Sequence, residues 1–188
     1  MALLSNEQNA FISYLTSLAR ADDRGALAVL RRGLSGNPAD DLNLCRFVSP
    51  RLPDEDRAAG CEPIYYLTAA LFALHPSENQ QGNLGAHLKQ AAGQRNDSDA
   101  AERRFTALLN TRRDDLDKPL RRAVMMLKQQ EIPVNWRQLF SDLLLWDHPK
   151  KLTQRAWANS FWSYERPIDT STAGQPGQTE ETFPEENQ

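Results

Sequence analysis

The sequence is short of β-branched residues, histidine and long apolar runs, and each shortage closes off a class of protein. Eight of the 188 residues are Val or Ile, against 25 Leu. Together with plentiful Ala, Arg, Gln and Glu, that balance favours helix over strand. The longest nearly apolar stretch, Tyr65 to Leu74, is about half as long as a membrane span requires. The chain does not open with a basic segment followed by an apolar one, so no signal peptide is expected and the protein is expected to be cytoplasmic. Cys45 and Cys61 match no metal or redox spacing. They are expected as buried or semi-buried free thiols in a reducing compartment.

Enzyme chemistry is equally thin. His75 and His148 each precede a proline, and His87 stands alone. None has a second His, Cys or carboxylate at ligand spacing, so each is expected at a helix end or on the surface. There is no P-loop, no glycine-rich dinucleotide turn and no nucleophile elbow. The acidic pairs Asp22-Asp23, Asp40-Asp41 and Asp114-Asp115 sit where helix caps and loops favour Asp. A non-enzyme without metal, cofactor or small-molecule substrate is expected.

What is present is amphipathic helix. Ser5 with Gln8 forms a capping box ahead of Phe11, Leu15 and Leu18. Asp22-Asp23 open a second helix that closes at Gly33. A loop at 35–41 and the short apolar segment Leu42 to Val48 lead into a proline-rich stretch from Pro50 to Pro63. Pro63 suits the first turn of a helix carrying Ile64, Leu67, Leu71 and Leu74, which Pro76 ends. Leu84, Leu88 and Ala91 give a helix stopping at Gly93. A further helix carries Ala101, Phe105, Leu108 and Leu109 on its apolar side and Arg103, Thr106, Asn110 and Arg113 along its polar stripe. Leu116, Leu120, Val124 and Leu127 define the next. Asn135 with Gln138 caps the one carrying Trp136, Leu139, Leu143 and Trp146, with Val134 stapled to Leu139. In the last, Trp157, Phe161 and Tyr164 recur at helical spacing. The expected fold is all-α, with roughly eight helices in two packed helical-bundle subdomains, 1–94 and 95–166. Residues 167–188, rich in Thr, Gly, Gln, Pro and Glu, are expected to form a disordered tail.

The formal net charge of −3 conceals a polarity. Residues 1–94 carry net −2, residues 95–166 net +4, and residues 167–188 net −5 with no Lys or Arg. Five basic doublets occur: Arg31-Arg32, Arg103-Arg104, Arg112-Arg113, Arg121-Arg122 and Lys150-Lys151. Neighbours on a helix diverge by about 100°, so a doublet sends two donors in different directions. Composition admits two roles for them, phosphate contacts or solvated surface paired with nearby acids. Arg104 and Arg112 lie close to the apolar stripe, where they would bury their stems, and Arg112-Arg113 is expected to split into one outward and one packed residue. The aromatics Trp136, Trp146, Trp157, Phe161 and Tyr164 are expected mainly in the core, with Trp162 off the main stripe and available to stack on a base.

The order of these segments resembles the CasB family, the small subunit of the type I-E CRISPR Cascade complex. The resemblance runs from about Phe11 to Trp162. It is carried by Gly25-Ala-Leu-Ala-Val-Leu-Arg-Arg-Gly33, Asn83-Leu-Gly-Ala-His-Leu88, Glu102-Arg-Arg-Phe105, Leu120-Arg-Arg122, Pro133-Val-Asn-Trp136, Asp142-Leu-Leu-Leu-Trp146 and the stretch from Trp157 to Phe161. The acidic tail is no part of the pattern, and residue 86 is Ala where some members carry a basic side chain. The resemblance implies an elongated non-catalytic subunit of two helical bundles. Its partners would be guide RNA, the target DNA backbone, other Cascade subunits and a second copy of itself. Guide pairing would supply sequence specificity, and basic surface would hold the hybrid and the displaced strand of the R-loop through phosphates. Carried onto this chain, the candidate contacts are Arg24, Arg31, Arg32 and Arg46, then Arg103, Arg104, Arg113, Arg121, Arg122, Lys128, Arg137, Lys150, Lys151 and Arg155. The alternative is a helical interaction module whose basic stripes meet an acidic protein. The charge of the tail further suggests that residues 167–188 lie over the basic face and compete with nucleic acid.

Overall fold

Ser5 starts the first helix with its own side chain. In the computed structural model, which describes residues 4–34, 42–95 and 98–163, Ser5 Oγ accepts from the Gln8 amide at 3.2 Å. Gln8 Oε1 accepts from the Ser5 amide at 3.0 Å, so both orphan donors at the start of α1 (Asn6–Arg20) are satisfied. Asp23 caps α2 (Arg24–Arg32) by accepting from the Ala26 amide at 2.9 Å. Then follow α3 (Leu42–Val48), a 3-10 turn (Ser49–Arg51), α4 (Asp54–Ala58) and α5 (Glu62–Leu74), which has Pro63 in its first turn. The second half holds α6 (Leu84–Arg95), α7 (Ser98–Leu109), a 3-10 turn (Arg113–Asp115), α8 (Asp117–Gln129), α9 (Trp136–Leu144) and α10 (Leu152–Phe161). Among the described residues, the one β feature is an isolated bridge between Glu78 and Val134, and no helix is long and apolar enough to cross a membrane. The loop at 35–41 and the tail at 167–188 lie outside the described residues.

The fold is all-α as expected, with ten α-helices among the described residues rather than about eight. The proline-rich stretch supplies α4 and a 3-10 turn, because Pro50, Pro53 and Pro63 all stand at helix starts, where a missing N–H costs nothing. α6 does not stop at Gly93 but runs to Arg95. α7 ends at Leu109, so Arg113 is not on its polar stripe. Asn110 and Thr111 turn their side chains back onto the carbonyls of Thr106 and Ala107, both at 2.9 Å, and such local bonds compete with helix propagation. Trp146 Nε1 then takes the Thr111 carbonyl at 3.0 Å and fixes the exit. Capping does not explain Asp114-Asp115, since the residue at the N-cap of α8 is Leu116, with no side-chain cap bond.

α5 is the hub. It is buried around most of its circumference and packs against α1, α2, α3, α8 and α9, as a helix apolar on all sides must. Phe11, Tyr65 and Phe140 bring α1, α5 and α9 together, with ring centroids 4.7–5.4 Å apart. Trp136 meets Phe72, and Trp146 meets Trp157. One continuous cluster of buried side chains runs from Phe11 to Trp157, so segments 1–94 and 95–166 share it.

His75 stands at the end of α5 as expected, yet both it and His87 are buried. His75 Nε2 donates to the Ile132 carbonyl at 2.8 Å, and His87 Nε2 accepts from the Asn135 amide at 3.3 Å. His87 thereby takes the place of Gln138 in the expected capping box. Asn135 still caps the Gln138 amide, but the Gln138 side chain turns to Asp142 instead. Burial pushes the His87 pKa down, which favours the neutral ring that this acceptor role needs.

Candidate nucleic-acid interface

α7 and α8, both packed on α6, sort their doublets by direction. On α7, Arg104 lines a groove shared with α8, whereas Arg103 lies on a separate surface hollow with Asp99, Glu102 and Thr106. On α8, Arg122 lines the same groove from the opposite wall. Arg121 points away, into a cavity beside Tyr66, and donates to the Leu34 carbonyl at 3.4 Å. One member of each doublet therefore faces the groove, as the angular offset of adjacent helical residues requires. The groove has a volume of about 480 Å³, a floor that includes Phe105, Leu108, Met126 and Phe161, and a rim carrying Arg104, Lys118, Arg122 and Asp115.

Exposure and pairing divide the candidates. Among the described residues, Arg32, Arg103, Arg104, Arg122, Lys128, Lys150, Lys151 and Arg155 are exposed, and their side chains form no ion pair or hydrogen bond. Arg24 is exposed but pairs with Asp22 at 3.1 Å, in a contact that surface screening leaves weak. Arg31 turns back to the Leu27 carbonyl, and Arg46 lies over the Phe47 ring at 4.6 Å.

Two candidates are already engaged inside the fold. Arg113 has a side chain only 20% exposed, 3.8 Å from Asp147 and 3.4 Å from the Gly60 carbonyl. In the Arg112-Arg113 doublet it is thus Arg113 that packs and Arg112 that faces out, the reverse of what proximity of Arg112 to the apolar stripe indicated. Arg137 joins α9 to α1: Nη1 donates to the Asn9 carbonyl at 3.3 Å and to its Oδ1 at 3.1 Å, and Nη2 donates to Ser13 Oγ at 3.0 Å.

Lys118 escaped the sequence reasoning. It is exposed and shares the groove with Arg122, and the signal was available in its spacing of four residues from Arg122, which places both on one face of α8. Near the end of the groove, Phe161 stacks on Phe105 at 4.1 Å. Trp162, 46% exposed, sets its edge to Phe105 and donates to Glu102 Oε1 at 3.1 Å. The other three tryptophans are buried, as their periodicity required.

Three unpaired cations around one concave surface can accept an anion without displacing an existing partner. Apolar walls below them raise the field that such an anion meets. No group of three His, Cys, Asp or Glu able to hold a metal occurs among the described residues.

Comparison with known proteins gives the chain its family. The family model of CRISPR-associated protein Cse2 matches residues 26–162. A CRISPR-associated protein Cse2 from Thermus thermophilus is 32% identical over 139 residues, covering 73% of this chain and 78% of that protein. The crystal structure of CasB from Thermus thermophilus superposes with a TM-score of 0.73 at 29% identity, covering 86% of this chain and all of that one. A chain of a CRISPR RNA-guided surveillance complex gives a TM-score of 0.71 at 27% identity over 82% of this chain and 91% of its own. This all-α chain, with its exposed cations on α7 and α8, belongs to the CRISPR-associated Cse2 family.

Proposed function

We propose that this chain is the non-catalytic small subunit of a type I-E Cascade surveillance complex. It contributes basic helical surface that holds the guide–target hybrid and the displaced strand by their phosphates during antiviral defence. The observation that carries this reading is the set of exposed cations without partners on α7 and α8, among the described residues, on a chain similar to one found in an RNA-guided surveillance complex. Guide pairing selects the sequence, so the subunit needs only sequence-independent contacts, for which Arg and Lys suffice. Each phosphate neutralised releases counterions, which makes the binding steeply dependent on salt. A second copy of the chain and the repeated backbone subunits are its protein neighbours in this reading.

Reconstitution tests it. The complex is assembled around a guide RNA with and without this chain, and the lifetime of the R-loop on a matched target is measured. The expected result is a shorter lifetime in its absence, with the difference shrinking as salt rises. An unchanged lifetime, or failure of the chain to enter the complex, refutes the proposal.

A further inference from the structure

The α7–α8 groove is apolar at its floor and cationic at its rim, an unusual pairing for a surface that only tracks a phosphate backbone. A phosphate needs the rim. Phe105, Leu108, Met126 and Phe161 beneath strengthen the field it meets but offer it no contact of their own. The ligand chemistry that fits both is an aromatic or aliphatic side chain flanked by carboxylates.

This chain contains such a segment. Between residues 167 and 188 the single aromatic is Phe183, and it stands in Glu180-Glu181-Thr182-Phe183-Pro184-Glu185-Glu186. Four carboxylates surround one ring, and no Lys or Arg follows Arg166. The starting point is favourable as well. Phe161 lines the groove, so the chain leaves α10 at the groove's own edge. Phe183 lies twenty positions beyond Ser163, enough to reach at most about 70 Å. A groove beside the departure point is well within that distance.

We propose that residues 178–188 dock into the α7–α8 groove, with Phe183 on its apolar floor and the flanking glutamates against Arg104, Lys118 and Arg122. The docked segment competes with nucleic-acid backbone for these cations. The docking stands on the groove and the segment alone, whereas the competition rests on the proposed function. Tethering supplies an effective concentration on the order of 1 mM. A segment with an intrinsic dissociation constant of about 0.2 mM would then weaken a competing anion roughly sixfold. The groove would open fully only when a polyanion long enough to engage cations elsewhere on the surface displaces the tail.

Methionine-methyl NMR on the full chain reads the docking directly. Met126 lines the groove, while its neighbour Met125 is exposed outside it and serves as the internal reference. The variant Phe183→Ala leaves every side chain of the buried cluster from Phe11 to Trp157 unchanged, and circular dichroism checks that the helices are retained. The expected result is a shift of the Met126 methyl signal between the full chain and the variant, with Met125 unmoved and no dependence on protein concentration. A Met126 signal identical in the two proteins overturns the docking. A shift that grows with protein concentration places a second copy in the groove and overturns it too. Anisotropy with single-stranded DNA at low salt then reads the competition: Phe183→Ala should bind roughly sixfold tighter, and equal affinity overturns that half of the proposal. Loss of nucleic-acid binding by both proteins would refute the proposed function while leaving the methyl signals to decide the docking.

Discussion

Replacing Asp142 by Asn should flatten the pH dependence of stability in a predictable direction. Asp142 is 6% exposed on α9, where its carboxylate accepts from Trp157 Nε1 at 2.6 Å and from Gln138 Nε2 at 2.7 Å. Its backbone carbonyl accepts from Thr153 Oγ1, so this one residue ties α9 to two positions on α10. Burial raises its pKa to about 6, against the lowering effect of the two hydrogen bonds. An unfolded Asp titrates near 3.9. The folded state therefore binds a proton more tightly than the unfolded state, and between those two values stability falls as pH rises. From pH 4.5 to 7.5 the loss comes to about 2 kcal/mol. Asn keeps the bond from Trp157 and can donate to the Gln138 side chain once that amide turns over, and it does not titrate. Urea unfolding of both proteins at pH 4.5 and 7.5 gives the comparison. The stability difference, wild type minus variant, should be about 2 kcal/mol more positive at pH 4.5. A difference independent of pH would show that Asp142 is not held in the buried environment described.

Two glycines of α6 should respond oppositely to alanine. A Cβ on Gly85 would lie 2.8 Å from the Trp157 Cα and against its carbonyl, so Gly85→Ala must push α10 away, whereas Gly93 has nothing within 4 Å. Alanine gains about 1 kcal/mol of helix propensity at either site. Gly93→Ala should be more stable by about that amount and Gly85→Ala less stable by about 2 kcal/mol, both read from urea midpoints, and a neutral Gly85→Ala would contradict the close helix crossing. Arg137→Ala should cost about 1–2 kcal/mol by releasing Asn9 and Ser13 from α9. It should leave the salt dependence of nucleic-acid binding unchanged, and a lowered salt slope would show that Arg137 reaches phosphate instead.

What the sequence revealed was mostly local. The caps at Ser5, Asp23 and Asn135 act on amides three residues ahead, so their chemistry lies within one short window. The burial of Trp136, Trp146 and Trp157 followed from helical period, and the exposed position of Trp162 from its departure from that period. Partners distant in the chain stayed hidden. Nothing near Arg137 points to Asn9, 128 residues away, and nothing near His87 points to the Asn135 amide. Gly85 reads as an ordinary helical glycine until α10 is laid across it. α7 ends earlier than its polar stripe suggests for a related reason: the apolar pattern stops gradually, while Trp146 holds the chain's exit through Thr111.

The same division applies to the candidate site. The count and placement of the doublets pointed to the stretch from Arg103 to Arg122, and helical geometry anticipated that the two members of a doublet would point in different directions. Which member would face the groove depended on how α7 and α8 sit on α6, and that is written in tertiary contacts rather than in spacing. Family resemblance implied a kind of partner, but it could not tell Arg122, which is unpaired, from Arg113, which is occupied by Asp147.

Whether the groove cations hold phosphate is decided by the salt dependence of single-stranded DNA binding. It is measured on the wild type, on Arg104→Ala/Arg122→Ala and on Arg113→Ala/Arg137→Ala. If Arg104 and Arg122 each meet a phosphate, the first double variant should lower the log–log slope by about 1.4, near 0.7 for each lost contact. The second should leave the slope unchanged, because its side chains are spent inside the fold. Equal slopes for the wild type and Arg104→Ala/Arg122→Ala would show that the groove is not a phosphate-binding surface.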